Sequence, residues 1–261
     1  MAILDEIIKY KQGELEAQMR KRPLERLQKE TAKLRGRKPI FIKRLKQSKK
    51  IAVIAEIKKR SPSKGILRKD FKPVSIARAY EKSGASALSI LTDENFFGGS
   101  AAIFKKIREV TKLPLLRKDF TIHEYQIYEA RLLGADAVLL IADILSSHEL
   151  RFLSALAESL GLDVLFEVHT LRDIDKVLPL KPKMVGINNR DLRTFQADLN
   201  VTKKLIGKLP KSVLVVSESG IQTAEDLIYL KRLGVRAVLV GESLMREKDP
   251  GLALINIRKG A

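Results

Sequence analysis

The chain has no cysteine, so disulfides, thiolate nucleophiles and cysteine-ligated metals are excluded. Histidine is scarce too: His123, His148 and His169 stand apart at no metal-ligand spacing, so no metal or other cofactor is expected. No apolar run approaches the roughly 20 residues that span a bilayer. Residues 1–11 also lack the basic-then-apolar order of a secretory signal, so a cytoplasmic protein with no membrane partner is expected. Missing as well is the Gly-x-Gly-x-x-Gly turn that a doubly wound nucleotide-binding sheet places after its first strand.

What is present is enough apolar material for a sizeable core: 45% of 261 residues are hydrophobic and 31% charged, which suits one globular domain over residues 1–261. The net charge of +19 is uneven, with 19 basic and 7 acidic side chains in residues 1–60. A basic arm of this kind can meet nucleic acid. Within residues 21–50, however, Phe41 is the only aromatic, so no stacking platform accompanies the charge. The arm therefore reads as solvated surface, with no nucleic-acid partner expected. The richness in Lys, Arg and Glu fits a heat-adapted protein, and a positive field draws in a phosphorylated small-molecule anion.

Three segments share one pattern: Gly84-Ala85-Ser86-Ala87-Leu88-Ser89-Ile90, Gly134-Ala135-Asp136-Ala137-Val138-Leu139-Leu140 and Gly234-Val235-Arg236-Ala237-Val238-Leu239-Val240. Each reads as a helix-ending glycine, a tight turn and a buried strand. Their starts lie 50 and 100 residues apart. With one strand-plus-helix unit taking about 25 residues, they are strands two, four and eight of an eightfold array. The sixth falls at Met184-Val185-Gly186-Ile187-Asn188, and residues 52–58, 115–118, 164–167 and 213–218 supply the others. Helices are expected between them, for example over 122–133 and 223–233. Continuous apolar strands alternating with helices predict an α/β protein with a parallel sheet, closed most economically as a (β/α)8 TIM barrel over residues 51–261. Residues 1–50 form an N-terminal helical extension, in which Leu4, Ile8, Leu15 and Met19 share one face of a helix over 3–20 laid on the barrel.

Five of these apolar runs end in charged or amide side chains: Ile54-Ala55-Glu56-Ile57-Lys58, Leu115-Leu116-Arg117-Lys118, Val164-Leu165-Phe166-Glu167, Val185-Gly186-Ile187-Asn188 and Val215-Val216-Ser217-Glu218. In barrels of this kind the C-terminal strand ends carry the site, and the loops after strands seven and eight often hold phosphate. Those loops are Ser217-Glu218-Ser219-Gly220-Ile221 and Val240-Gly241-Glu242-Ser243-Leu244, each with a glycine expected just before a short helical segment whose free N–H groups favour an anion. The Glu242 carboxylate is expected to point away from that anion. Around the anchor gather Glu56, Lys58, Lys118, Glu167, Asn188, Arg190, Glu218 and Ser219. Any one of the charged groups alone reads equally well as a satisfied ion pair. Three carboxylates and two lysines over a phosphate site point to proton transfer. Phe96, Phe97, Phe120 and Leu139 near the same ends suggest a ligand with an aromatic half.

The string Glu56-Ile57-Lys58-Lys59-Arg60-Ser61-Pro62-Ser63, with Leu91-Thr92-Asp93, Leu116-Arg117-Lys118-Asp119-Phe120, Gly186-Ile187-Asn188-Asn189-Arg190-Asp191-Leu192 and the Ser217 loop, resembles the indole-3-glycerol-phosphate synthase family over almost the whole chain. That resemblance implies ring closure of 1-(2-carboxyphenylamino)-1-deoxyribulose 5-phosphate with loss of carbon dioxide and water. It implies Lys118 as general acid, Glu167 as its partner in dehydration and Lys58 on the substrate carboxylate or sharing the acid role with Lys118, with Glu56, Asn188, Arg190, Glu218 and Ser219 orienting intermediates. It further implies phosphate on Ser61, Gly220, Gly241 and the Glu242 amide, and an anthranilate ring among Pro62, Phe97, Phe120 and Leu139. The chain is expected to act as a monomer. Another phosphate-binding barrel, such as a phosphoribosylanthranilate isomerase, would share the two loops without needing Glu56, Lys58 and Lys118 together.

Overall fold

In a computed structural model that describes residues 3–191 and 194–260, eight parallel strands close on themselves. They are β1 (Ala52–Ile57), β2 (Ala87–Leu91), β3 (Leu115–Lys118), β4 (Ala137–Ile141), β5 (Asp163–Val168), β6 (Met184–Asn188), β7 (Leu214–Glu218) and β8 (Ala237–Val240). Each pairs with its neighbour in sequence, and β8 returns to β1. Helices fill every connection, so the fold is the (β/α)8 barrel with an N-terminal helical extension. Leu192, the last residue of the Gly186 motif, lies outside the described residues.

The glycines of the repeat do what the pattern requires. Gly84, Gly134 and Gly234 have φ of 82°, 81° and 93°, the left-handed region that ends a helix cheaply only without a Cβ. From there, alternation along each strand divides the core in two. Val53, Ala55, Ile57, Leu88, Ile90 and their counterparts pack outward against the helices. Ala52, Ile54, Leu116, Leu139, Leu165, Met184, Val216 and Leu239 fill the bore. The same inward parity carries Glu56, Lys118, Glu167, Asn188 and Glu218 to the C-terminal mouth, where the bore stops being apolar.

The opposite end is closed by the helix Phe41–Lys46, whose buried Phe41, Ile42 and Leu45 join the bore. Asp163, at the first position of β5, accepts a hydrogen bond from the Ile42 N–H at 3.0 Å and fixes that plug. Over the mouth lies the helix Ile3–Lys21. Its inward face differs from the expected one: Ile7, Lys11 and Leu15 are buried, while Leu4, Ile8 and Met19 are only half-buried. The cause is electrostatic. Lys11 is 3% exposed because its ammonium lies 3.0 Å from Asp93 and 3.0 Å from Asp119, just past the ends of β2 and β3. A second helix, Leu24–Ala32, continues the extension. The helix expected over 122–133 begins at Glu124, because His123 caps it by accepting from the Tyr125 N–H. Among the described residues no helix is long and apolar enough to cross a membrane.

Candidate active site

The mouth opens on a cavity of about 1040 Å³, at the upper limit of the usual size for small-molecule sites. Its wall includes Glu56, Lys58, Lys118, Glu167, Asn188, Arg190, Glu218 and Ser219, the residues expected from the strand endings. It also includes Ser61, Gly220, Gly241 and Glu242, and Pro62, Phe97, Phe120 and Leu139. The rings of Phe97 and Phe120 lie 6.0 Å apart at a tilt of 38°. Phe96 is the exception among the apolar residues. It turns away and meets Tyr10 of the N-terminal helix edge to face at 5.6 Å, because the Asp93 carboxylate accepts the Phe96 N–H at 2.7 Å and curls the chain there.

At the centre the charges are directly joined. Lys118 Nζ lies 2.9 Å from Glu167 Oε2 and 3.8 Å from Glu218 Oε2. The other Glu167 oxygen accepts from Asn188 Nδ2 at 3.0 Å, and Glu56 pairs with Lys58 at 2.5 Å. Two of these contacts need glycine. A Cβ at Gly186 would stand 2.0 Å from a Glu218 oxygen, and one at Gly241 would stand 2.2 Å from a Glu56 oxygen. The two glycines are the space into which the carboxylates fold.

Three carboxylates against two ammonium groups leave one negative charge too many for a buried cluster. The groups share the burden unequally. Burial works against the Lys118 ammonium, but Glu167, Glu218 and Glu56 overrule it and hold its pKa above the ordinary lysine range. Burial pushes Glu167 up, yet Lys118 foremost, then His169 and the Asn188 hydrogen bond, bring it below the usual carboxylate range. Glu218 is raised to about 8, by burial first and by the charge of Glu167 second. Lys118 and Glu167 are therefore held in their charged forms, and a proton taken up by the cluster goes first to Glu218.

The two loops form one rim. The Gly241 turn leads directly into the short helix Glu242–Arg246. The Gly220 loop departs from expectation: no short helix follows, and Thr223 instead caps the long helix Ala224–Arg232 three residues on. Ser243 Oγ donates to the Ile221 carbonyl at 2.9 Å and ties the loops together. Ser219, with φ of 63°, sits in the left-handed region without being glycine. It is held there by Asn189, whose side-chain amide donates to the Ser217 hydroxyl and to the Glu218 and Ser219 carbonyls at 2.9–3.1 Å. The Glu242 carboxylate is occupied by Arg190 at 2.9 Å and Arg246 at 3.4 Å, so its charge is neutralised. Ser61 is placed by a small hairpin, Arg60–Ser61 against Gly65–Ile66, that leaves β1 just past Lys58.

Of the N-terminal helix, Leu4 lines the cavity from the face expected to lie on the barrel, whereas Ile3 and Ile7, which also line it, and Lys11, which pins the helix down, escaped the sequence. The i, i+4, i+8 spacing of Ile7, Lys11 and Leu15 was the available signal, obscured by a lysine in its middle. The segment 194–197 closes the side wall. Asn189 follows Asn188 in the same polar run, but nothing local marks one as facing the cavity and the other as bracing it.

A profile of the indole-3-glycerol phosphate synthase family matches residues 4–257. The chain is 47% identical over 248 residues to an indole-3-glycerol phosphate synthase of Acetivibrio thermocellus, covering 95% of each chain. It is 46% identical over 255 residues to that of Chromobacterium violaceum, covering 97% of this chain and 96% of the relative. Solved structures of lower identity share the fold. Tryptophan synthase subunit alpha from Legionella pneumophila aligns with a TM-score of 0.63 at 15% identity, over 84% of this chain and 95% of that one. Thiamine phosphate pyrophosphorylase from Pyrococcus furiosus aligns with a TM-score of 0.59 at 17% identity, over 80% and 94%. With a family match over nearly its whole length and relatives near half identity, this chain belongs to the indole-3-glycerol phosphate synthase family, a family of carboxy-lyases.

Proposed function

We propose that the protein closes the indole ring of 1-(2-carboxyphenylamino)-1-deoxyribulose 5-phosphate, releasing carbon dioxide and water, as a step of tryptophan biosynthesis. The observation that carries this reading is the Lys118–Glu167 pair at 2.9 Å in a mouth that joins an aromatic wall to a glycine-rich rim.

Lys118 meets substrate as an ammonium, so it brings the proton that the ribulose carbonyl oxygen needs while the carboxyl-bearing aromatic carbon attacks. A positioned acid of this kind contributes about 10²–10⁴-fold. Lys58 leaves Glu56 to hold the substrate carboxylate until carbon dioxide departs. The hydroxyl formed from the carbonyl then leaves as water, with Glu167 moving the proton. Glu218, the first of the cluster to take up a proton, completes the acid side without adding a charge. Asn188, Arg190 and Ser219 keep these groups in register. The phosphate rests on Ser61, Gly220, Gly241 and the Glu242 N–H, beside the Arg190 and Arg246 guanidinium groups that neutralise Glu242. Pro62, Phe97, Phe120 and Leu139 enclose the anthranilate ring and keep the cyclisation dry. The chain works as a monomer without a metal or other cofactor.

The test supplies the carboxyphenylamino deoxyribulose phosphate and follows indole fluorescence, with Lys118→Ala and Glu167→Gln alongside. Indole from the parent, and a rate at least about 100-fold lower in Lys118→Ala, is the expected result. Equal rates in parent and Lys118→Ala would remove Lys118 from the mechanism.

A further inference from the structure

His169 is a buried titratable group that the chemistry above leaves unused. It follows β5 two residues beyond Glu167, so alternation turns both side chains to the same side of the strand. Its side chain is 13% exposed, and Nε2 lies 3.4 Å from Glu167 Oε1. Both ring nitrogens are shielded from solvent, and neither has a hydrogen-bond partner. The backbone that carries the ring is fixed. The His169 backbone N–H donates to Asp173 Oδ2 at 3.0 Å, and Thr170 and Asp173 form the capping box that starts the next helix.

A distance of 3.4 Å is too long for a good N–H···O bond and too short for indifference. In the resting site Glu167 leans toward Lys118, with Asn188 on its other oxygen. Once Lys118 turns its proton toward a substrate oxygen, the carboxylate loses that partner while remaining buried. A small turn then brings Oε1, which Asn188 also holds, within bonding distance of His169 Nε2–H; the buried donor gains a partner and the carboxylate regains a second hydrogen bond in one motion.

We propose that His169 is a positioning residue for Glu167: it donates from Nε2 to the carboxylate when Lys118 is engaged by substrate, and so keeps Glu167 aimed for dehydration. The proposal rests on the reading that Glu167 moves a proton in that step. His169 does not line the cavity, so it acts through Glu167 alone.

The test compares His169→Leu, His169→Gln and His169→Asn in the full chain, with carboxyphenylamino deoxyribulose phosphate as substrate. Gln carries its amide N–H to the reach of Nε2, whereas Asn carries it only to the reach of Nδ1. Loss of one hydrogen bond to a charged group predicts kcat about tenfold lower in His169→Leu and His169→Asn, with KM within about twofold of the parent and kcat within about threefold of it in His169→Gln. Parent kcat in His169→Leu, or equal losses in the Gln and Asn variants, overturns the proposal. If His169→Leu does not fold, the Gln and Asn pair decides alone. A double variant with Glu167→Gln separates the two levels. Adding His169→Leu should slow Glu167→Gln no further, and a full additional tenfold loss contradicts the coupling. Glu167→Gln at the parent rate would remove the underlying reading instead.

Discussion

Replacing Lys11 by Met should unfasten the N-terminal helix from the barrel. The ammonium lies 3.0 Å from Asp93, 3.0 Å from Asp119 and 2.7 Å from Glu14, and it is buried with the two aspartates at 3%, 0% and 4% exposure. Met preserves the length of the stem and removes only the charge. Taking one partner from a buried ion pair costs about 3–5 kcal/mol, because the other charge stays buried. Here the low end applies, since each aspartate keeps other partners. Asp119 retains Arg117 and Thr92, and Asp93 retains the Phe96 and Phe97 N–H groups. A loss of about 3 kcal/mol corresponds to a melting temperature roughly 6–12 °C lower for a chain of this size. The pH dependence follows from Asp119, whose pKa burial raises but Arg117 and then Lys11 pull below the ordinary value. A depressed carboxylate stabilises fully above its unfolded pKa of about 3.9 and loses that stabilisation as pH falls through the folded value. The deficit of Lys11→Met should therefore be complete at pH 7 and shrink below about pH 4. Because Ile3, Leu4 and Ile7 line the cavity, KM should rise while the charges at the strand ends are untouched. Calorimetry at pH 7 with limited proteolysis of the N-terminal helix checks this. A melting temperature within about 1 °C of the parent, with unchanged protease resistance, would refute the reasoning.

Two further substitutions probe the mouth. Glu218→Gln mimics the protonated acid. Because the folded pKa is raised from 4.5 to about 8, parent stability should decline as pH climbs between those values and level off above. The variant should match the parent near pH 4 and exceed it increasingly toward pH 8, by at most about 1.4 kcal/mol per pH unit, which denaturant titrations at several pH values will read. A constant difference across that range would contradict the assigned proton. Gly241→Ala puts a Cβ 2.2 Å from the Glu56 carboxylate and at the start of the rim helix. Displacing both should raise KM for the phosphorylated substrate about tenfold or more in steady-state assays, and an unchanged KM would argue against phosphate at that turn.

Which parts of the molecule were legible follows from how local each determinant is. The barrel was readable because parallel strands buried on both faces make continuous apolar runs, and the glycines at 84, 134 and 234 mark three of the helix-to-strand turns. The candidate site was readable because inward parity at a strand end is a local fact: Glu56, Lys118, Glu167, Asn188 and Glu218 needed only their own strands. Lys11 was not, since its aspartate partners lie more than eighty positions away and a lysine counts as polar in any helical pattern. The plug helix Phe41–Lys46 is too short for periodicity to register, and its partner Asp163 is again distant in sequence. Phe96 and Phe97 are adjacent and chemically alike. Only the turn held by Asp93 sends one to Tyr10 and the other to the cavity. His169 was visible as a residue, but its meaning depended on a 3.4 Å approach that no spacing encodes.

The most direct test of the account is a single-turnover reaction of the protein with carboxyl-labelled 1-(2-carboxyphenylamino)-1-deoxyribulose 5-phosphate, measuring labelled carbon dioxide and indole product together. The account predicts one carbon dioxide for each indole ring formed, with both lost in Lys118→Ala. Carbon dioxide without indole, or neither product from the parent protein, would contradict it.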